Sequence, residues 1–155
     1  MPELITYKKI ISKFVELGFH SSSISEALNL LYKDGFISYP RTDDEYLPMA
    51  CFHERKEDLE RLIESNYNDL DFIHDFASKI DLQFKSELFV GHRNFNHSSI
   101  IPTFTSINFA DHPKRSELNY SSSQYTGFIY NDRSELYVNI YTYIRNNYIQ
   151  FFIPH

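Results

Sequence analysis

Between Leu31 and Pro48 the chain reads Leu-Tyr-Lys-Asp-Gly-Phe-Ile-Ser-Tyr-Pro-Arg-Thr-Asp-Asp-Glu-Tyr-Leu-Pro, and this run holds the side chains best suited to chemistry. Tyr39 and Arg41 stand two positions apart. Pro40 disfavours a helical predecessor, which keeps Tyr39 extended, and in an extended segment residues i and i+2 project to the same side. A phenol titrates near ~10 when unperturbed, so it acts as a nucleophile only where its proton is drawn off. A guanidinium keeps its charge at working pH and holds a phosphate or carboxylate oxygen through two hydrogen bonds. Plainer roles are open to both residues. Tyr39 is one of twelve tyrosines and could simply pack, and Arg41 could pair with Asp43 or Asp44 in a surface salt bridge of little worth.

Other reactive types are sparse. Cys51 is the single cysteine and can form neither an internal disulfide nor a multi-thiolate zinc site. His92 and His97 lack further ligands at suitable spacing, so metal binding by that pair is a weak reading. His97 could also cap a turn or pack.

The elements that must position Tyr39 and Arg41 follow from periodicity. Ile10, Ile11, Phe14, Val15 and Leu17 recur at helical spacing, giving a helix from about Ile5 to Leu17 that stops at Gly18. A second helix is predicted after a short turn, opened by a Ser23-Ile24-Ser25-Glu26 capping box, faced by Leu28, Leu30 and Leu31, and ended at Gly35. Two short helices joined this way are compatible with a helix-turn-helix. A third helix is predicted from about Pro48 to Ser65, with Phe52, Leu59, Leu62 and Ile63 on one side and Glu57 paired to Arg61 on a solvated face. Asp71 to Ile80 reads as a fourth helix and Phe89 to Tyr120 as largely irregular. Ser134 to Phe152 fits a helix through Leu136, Ile140 and Ile144 and a strand through Val138, Ile140, Thr142 and Ile144; Asp132-x-x-Glu135 ahead of it favours the helix.

With 155 residues, 42% hydrophobic and 17% aromatic, the chain is sized as a single soluble domain spanning residues 1–155. A mean hydropathy of −0.42 and the lack of a long apolar run speak against a transmembrane helix, and Met1-Pro2-Glu3-Leu4 lacks a secretory start, so a cytoplasmic, membrane-free protein is expected. The net charge of −6 would repel a nucleic-acid backbone if spread evenly. It is not. Thr42 to Asp75 carries eleven acids against three bases, a local −8 that leaves +2 for the remainder.

The run from Leu31 to Pro48 closely resembles the active-site segment of type IA DNA topoisomerases, and its Tyr39-Pro40-Arg41-Thr42-Asp43 with Tyr46-Leu47-Pro48 is most similar to the topoisomerase III branch. His97-Ser98-Ser99-Ile100-Ile101-Pro102-Thr103 resembles that branch's His-His-Ala-Ile-Ile-Pro-Thr. Leu136 to Pro154 is similar to the helix and aromatic-proline ending that follow in the family, and Leu4 to Phe19 sits where the family has its pre-catalytic helix. The departures are Ser98, which replaces a histidine, and Asp44 and Glu45, which add negative charge beside Arg41.

The resemblance implies a mainly α, helix-turn-helix (winged-helix-like) domain with short extended segments, the one that bears the active-site tyrosine. By the same resemblance Tyr39 is the nucleophile that opens single-stranded DNA through a 5′-phosphotyrosyl intermediate, Arg41 positions the phosphate, and His97 contacts DNA near the break. Mg²⁺ would be held by a Glu and an Asp-x-Asp pair of a separate Toprim domain, whose pattern does not appear here. Asp69-Leu70-Asp71 has the spacing but no preceding apolar strand, and reads as solvated charge. The chain is therefore expected to be a domain or fragment that binds no metal itself, works with the remaining topoisomerase domains, and is inactive alone. Tyr39 is expected to be solvent-accessible. The alternative is a non-catalytic module that binds single-stranded DNA or a partner protein.

Overall fold

The computed structural model describes residues 2–91, 98–105, 108–109 and 127–155. Among them the architecture is mainly α, with one two-stranded sheet. Helix α1 spans Tyr7–Glu16 and α2 spans Ser21–Lys33. α1 opens on Thr6, whose hydroxyl accepts from the Lys9 amide at 3.3 Å. It closes at Gly18, φ 102°, where the Gly18 amide donates to Val15 O at 2.9 Å and the Phe19 amide to Phe14 O at 3.1 Å. This is a Schellman closure. α2 ends the same way at Gly35, φ 84°, with the Gly35 amide donating to Tyr32 O and the Phe36 amide to Leu31 O, each at 3.0 Å. A Cβ at Gly35 would meet no atom within 4 Å, so the demand for glycine there is set by the left-handed backbone alone. The closure sends Phe36 and Ile37 into the core and doubles the following residues back along α2.

The predicted capping box does not start α2. The N-cap is His20, three residues earlier, which makes no side-chain cap bond, because the Gly18 closure releases the chain early enough for Ser21 to enter the first turn. The predicted third helix is also two elements, α3 (Met49–His53) and α4 (Arg55–Ser65), broken at Glu54 with φ −97° and ψ 15°. Arg55 accounts for the break: its guanidinium donates to Phe52 O at 2.9 Å and lies 4.0 Å over the Phe52 ring. Arg61 faces Asp58 at 3.9 Å and not Glu57. Helix α5 covers Leu70–Asp75, followed by a 3-10 turn at Ala77–Lys79. The two strands, β1 (Leu47–Pro48) and β2 (Phe89–Val90), pair in parallel with Leu47 opposite Phe89.

The C-terminal segment resolves to helix α6, Gly127–Ile149, capped by a 3-10 turn at Gln150–Phe152. Leu136, Tyr137, Ile140, Tyr141, Ile144 and Tyr148 are buried while Val138 and Thr142 are only partly so, which is a helical stripe and not a strand face. Asp132 lies inside the helix, so Asp132-x-x-Glu135 is not its start.

α6 joins two cores. Its Leu136 to Ile144 stretch packs with Ile10 and Phe14 of α1, Ile24, Leu28 and Leu31 of α2, Phe36, Ile37 and Ile100. Its end, with Tyr148, Ile149, Phe151 and Phe152, packs with Leu47, Leu59, Leu62, Phe72, Phe89 and Ile101. The Tyr137 hydroxyl, bonded at 2.6 Å to Asp34 Oδ2, pins the end of α2 to α6.

The acidic face of α4 is not uniformly solvated. Asp58 is only 7% exposed, and burial, followed by the nearby Glu54 carboxylate, raises its pKa above the ordinary aspartate value. A carboxyl with a raised folded-state pKa favours the native state at low pH, and that contribution is lost as pH rises through the raised value. Asp58→Asn is therefore expected to raise the melting temperature by a few degrees at pH 7 and leave it unchanged at pH 3; equal shifts at both pH values in a thermal scan would contradict this.

Candidate active site

Residues 38–46 leave the first core at Ile37 and enter the second at Leu47, and residues 98–103 run beside them across the same boundary, Ile100 in one core and Ile101 in the other. The two segments are stitched by backbone and hydroxyl bonds. The Ser38 amide donates to Ile101 O at 2.9 Å and the Ile101 amide to Ser38 Oγ at 3.0 Å. The Thr103 amide donates to Phe36 O at 2.9 Å, and Ile37 bridges Pro102 in antiparallel fashion. Ser99, fully buried, accepts from the Tyr46 amide at 3.1 Å, donates through Oγ to Asp44 O at 2.8 Å, and its own amide donates to Tyr46 O at 3.0 Å. The Ile100 amide adds a bond to Ile5 O at 2.8 Å, and the Tyr7 amide one to Thr42 O at 2.8 Å, so the start of α1 is tied to both segments. Of these donors, the Ser99, Ile100 and Ile101 amides belong to buried residues, which would otherwise hold polar groups without water.

Tyr39 is half-buried, with its ring edge-on to Tyr32 of α2 at 5.6 Å and 84°. Tyr32 is 45% exposed, so this pair sits at the surface and not in the core. Arg41 is exposed; its Nη2 donates to Ser25 Oγ at 3.2 Å, and the guanidinium lies 5.5 Å from the Tyr7 ring centroid. Ser25 and Tyr32 are seven residues apart on α2, two turns along one stripe. Tyr39 and Arg41 thus lie along the same face of α2, as the extended Tyr39-Pro40-Arg41 spacing predicts, while Pro40 between them is buried.

Among the described residues no carboxylate stands within ion-pair distance of Arg41. Asp43 faces Lys8 at 3.9 Å and Glu45 faces Lys9 at 3.4 Å, so α1 lysines offset the acids that follow the arginine. The other tyrosine of the segment, Tyr46, has its phenol pKa raised by partial burial and then by Asp44. His97 lies outside the described residues. Ser98 beside it is partly buried and donates to Ser99 O at 2.8 Å.

The Asp69-Leu70-Asp71 pair is not simply solvated charge. Asp69 caps α5 by accepting from the Phe72 amide at 3.1 Å and pairs with Arg145 at 2.8 Å, whereas Asp71 is exposed. Among the described residues there is no group of three or more His, Cys, Asp or Glu side chains that could hold a metal ion. Sequence reasoning passed over Arg145, which is 2% exposed at the edge of an open cleft of about 440 Å³. Its signal was a lone cation in the otherwise uncharged stretch from Leu136 to Pro154. Among the described residues no helix is long and apolar enough to cross a membrane.

No curated protein matches the chain significantly. The family comparison is decisive: residues 2–155 match the model of the DNA topoisomerase family, a span that includes α1, the Tyr39 segment, the 98–103 segment and α6. The chain belongs to the type IA DNA topoisomerase family.

Proposed function

We propose that this chain is the tyrosine-bearing domain of a topoisomerase III-like enzyme and supplies the nucleophile for transient cleavage of single-stranded DNA. The observation that carries this is the stitching of residues 38–46 to residues 98–103, which holds the two most specific stretches of the sequence side by side. Tyr39 Oη attacks the phosphorus as its proton passes to a base. The bond to the 3′ oxygen breaks, that oxygen takes a proton, and the strand's 5′ phosphate is left on the tyrosine. One ester replaces another, so the reverse attack by the 3′ hydroxyl reseals the strand without a nucleotide cofactor. Arg41 carries a positive charge with only neutral contacts among the described residues, which suits it to the negative charge that gathers on the phosphate oxygens. His97, by the resemblance of residues 97–103 to the family's segment, is assigned to DNA near the break. α1 and α2, joined at Gly18, are read as the helix-turn-helix that presents this surface. Mg²⁺ belongs to the Toprim acids of the family, supplied separately, where it would offset phosphate charge.

The chain, mixed with a Toprim-bearing fragment and Mg²⁺, is expected to become covalently labelled by 3′-labelled single-stranded DNA and to release the 5′-labelled piece free. DNA that binds but never becomes covalent under these conditions would overturn the assignment in favour of a binding module.

A further inference from the structure

Arg41 is held by two residues of the preceding helices. Ser25 Oγ accepts from Arg41 Nη2 at 3.2 Å and also from the Tyr7 hydroxyl at 3.2 Å, while the Tyr7 ring lies under the guanidinium at 5.5 Å. We infer that Tyr7 and Ser25 form a clamp that positions Arg41 for the DNA phosphate, an inference that rests on the phosphate role proposed above. Three facts of geometry support it. First, the clamp is electrically neutral: a carboxylate partner would cancel the charge that the phosphate needs, whereas a hydroxyl and a ring face orient the fork and leave its charge intact. Second, the hydroxyl uses one corner of the guanidinium, and the planar group keeps further N–H donors for a bidentate grip on a phosphate.

Third, the clamp is anchored on both sides. Tyr7 begins α1, and its amide donates to Thr42 O at 2.8 Å, one residue past Arg41, so the ring is tied to the backbone whose side chain it supports. Ser25 lies on α2 two turns before Tyr32, the residue against which Tyr39 rests. The same helix therefore sets both the phenol and the guanidinium, and the clamp fixes the second relative to the first. An unclamped arginine at an exposed position must lose its rotamer freedom on binding; one already held loses less.

The test is binding of a fluorescent single-stranded oligonucleotide by the full chain at low salt, with affinity followed against salt concentration. Arg41→Ala is expected to weaken binding about tenfold and to lower the salt slope by ~0.7, as loss of one phosphate contact on a single strand requires. Ser25→Ala should weaken binding about threefold to tenfold with the slope unchanged, since the charge remains. Ser25→Thr, which keeps the hydroxyl, should stay within about twofold of the parent, and Tyr7→Phe, which keeps the ring, should fall between them. In an Arg41→Ala background Ser25→Ala should add less than about twofold, because a positioning residue has nothing left to position. A Ser25→Ala effect that is the same with and without Arg41, or no effect while Arg41→Ala is damaging, overturns the clamp alone. Unchanged affinity and slope for Arg41→Ala overturn both the clamp and the phosphate role. Should Ser25→Ala fail to fold, the Tyr7→Phe cycle with Arg41→Ala decides by the same criteria.

Discussion

Tyr39→Phe is expected to reduce covalent capture of single-stranded DNA by at least about a thousandfold, because a variant without the phenolic oxygen cannot form the ester on which the reaction depends. Phenylalanine keeps the aromatic ring and with it the edge-on contact to Tyr32. Non-covalent affinity for the same oligonucleotide should change little, since that affinity comes from phosphate contacts and not from the attacking oxygen. Capture assayed on denaturing gels in the presence of a Toprim-bearing fragment and Mg²⁺, beside a melting curve, separates lost chemistry from lost folding. Residual capture near the parent level would move the nucleophile elsewhere. Tyr32 and Tyr46 lie equally near in sequence, seven residues to either side; at Tyr46 burial and Asp44 raise the phenol pKa, which disfavours the phenolate there.

The largest effect on stability is expected at Arg145. Its guanidinium is buried, donates to Asn66 Oδ1 at 2.9 Å, Asp69 Oδ2 at 2.8 Å and Asn146 Oδ1 at 3.0 Å, and stacks 4.1 Å over the Phe72 ring. Asn66 in turn donates to the Tyr141 hydroxyl at 3.0 Å and to Leu62 O at 3.0 Å, so one cation organises the contact between α4, α5 and α6. Removing it strands a buried amide oxygen and a half-buried carboxylate, a loss of ~3 kcal/mol by analogy with other broken buried pairs. For a chain of this size that is a fall in melting temperature of about 10 °C. Arg145→Lys should recover only part, because an ammonium cannot match the planar fork or its stacking. A fall of less than about 2 °C for Arg145→Ala would show the network to be dispensable.

How far the sequence exposed this fold depends on the physical signal each element carries. α1, α2 and α6 were legible because their apolar positions recur at helical spacing, and the two glycines with positive φ marked where α1 and α2 close. Tertiary contacts set the rest. The break at Glu54 comes from Arg55 turning back on Phe52, which no periodicity reports. Asp58 and Asp69 look like members of a solvated acidic run, yet one is buried within α4 and the other is taken up by Arg145. Ser23 and Asp132 had capping-box spacing but lie within helices that begin earlier, at Ser21 and Gly127.

The site was legible in a different way. The Tyr39-Pro40-Arg41 spacing announces an extended segment with both side chains to one side, and both do lie along α2. That residues 98–103 pack against this segment could be expected only from resemblance. The hydroxyl of Ser99, which bonds residues 44 and 46, gives no sign in sequence of what it joins. The same is true of Ser25 and Tyr7, whose roles depend on an arginine that arrives from a distant turn.

The most direct measurement is the identity of the residue that carries DNA after capture. Trypsin frees Asp34 to Arg41 as one peptide, and Tyr39 is its only tyrosine. Mass spectrometry of the nuclease-trimmed adduct is expected to find a 5′-nucleotide phosphate on that peptide, placed at Tyr39 by fragmentation. The same mass addition on any other peptide, or a DNA complex that leaves every peptide unmodified, would contradict the account.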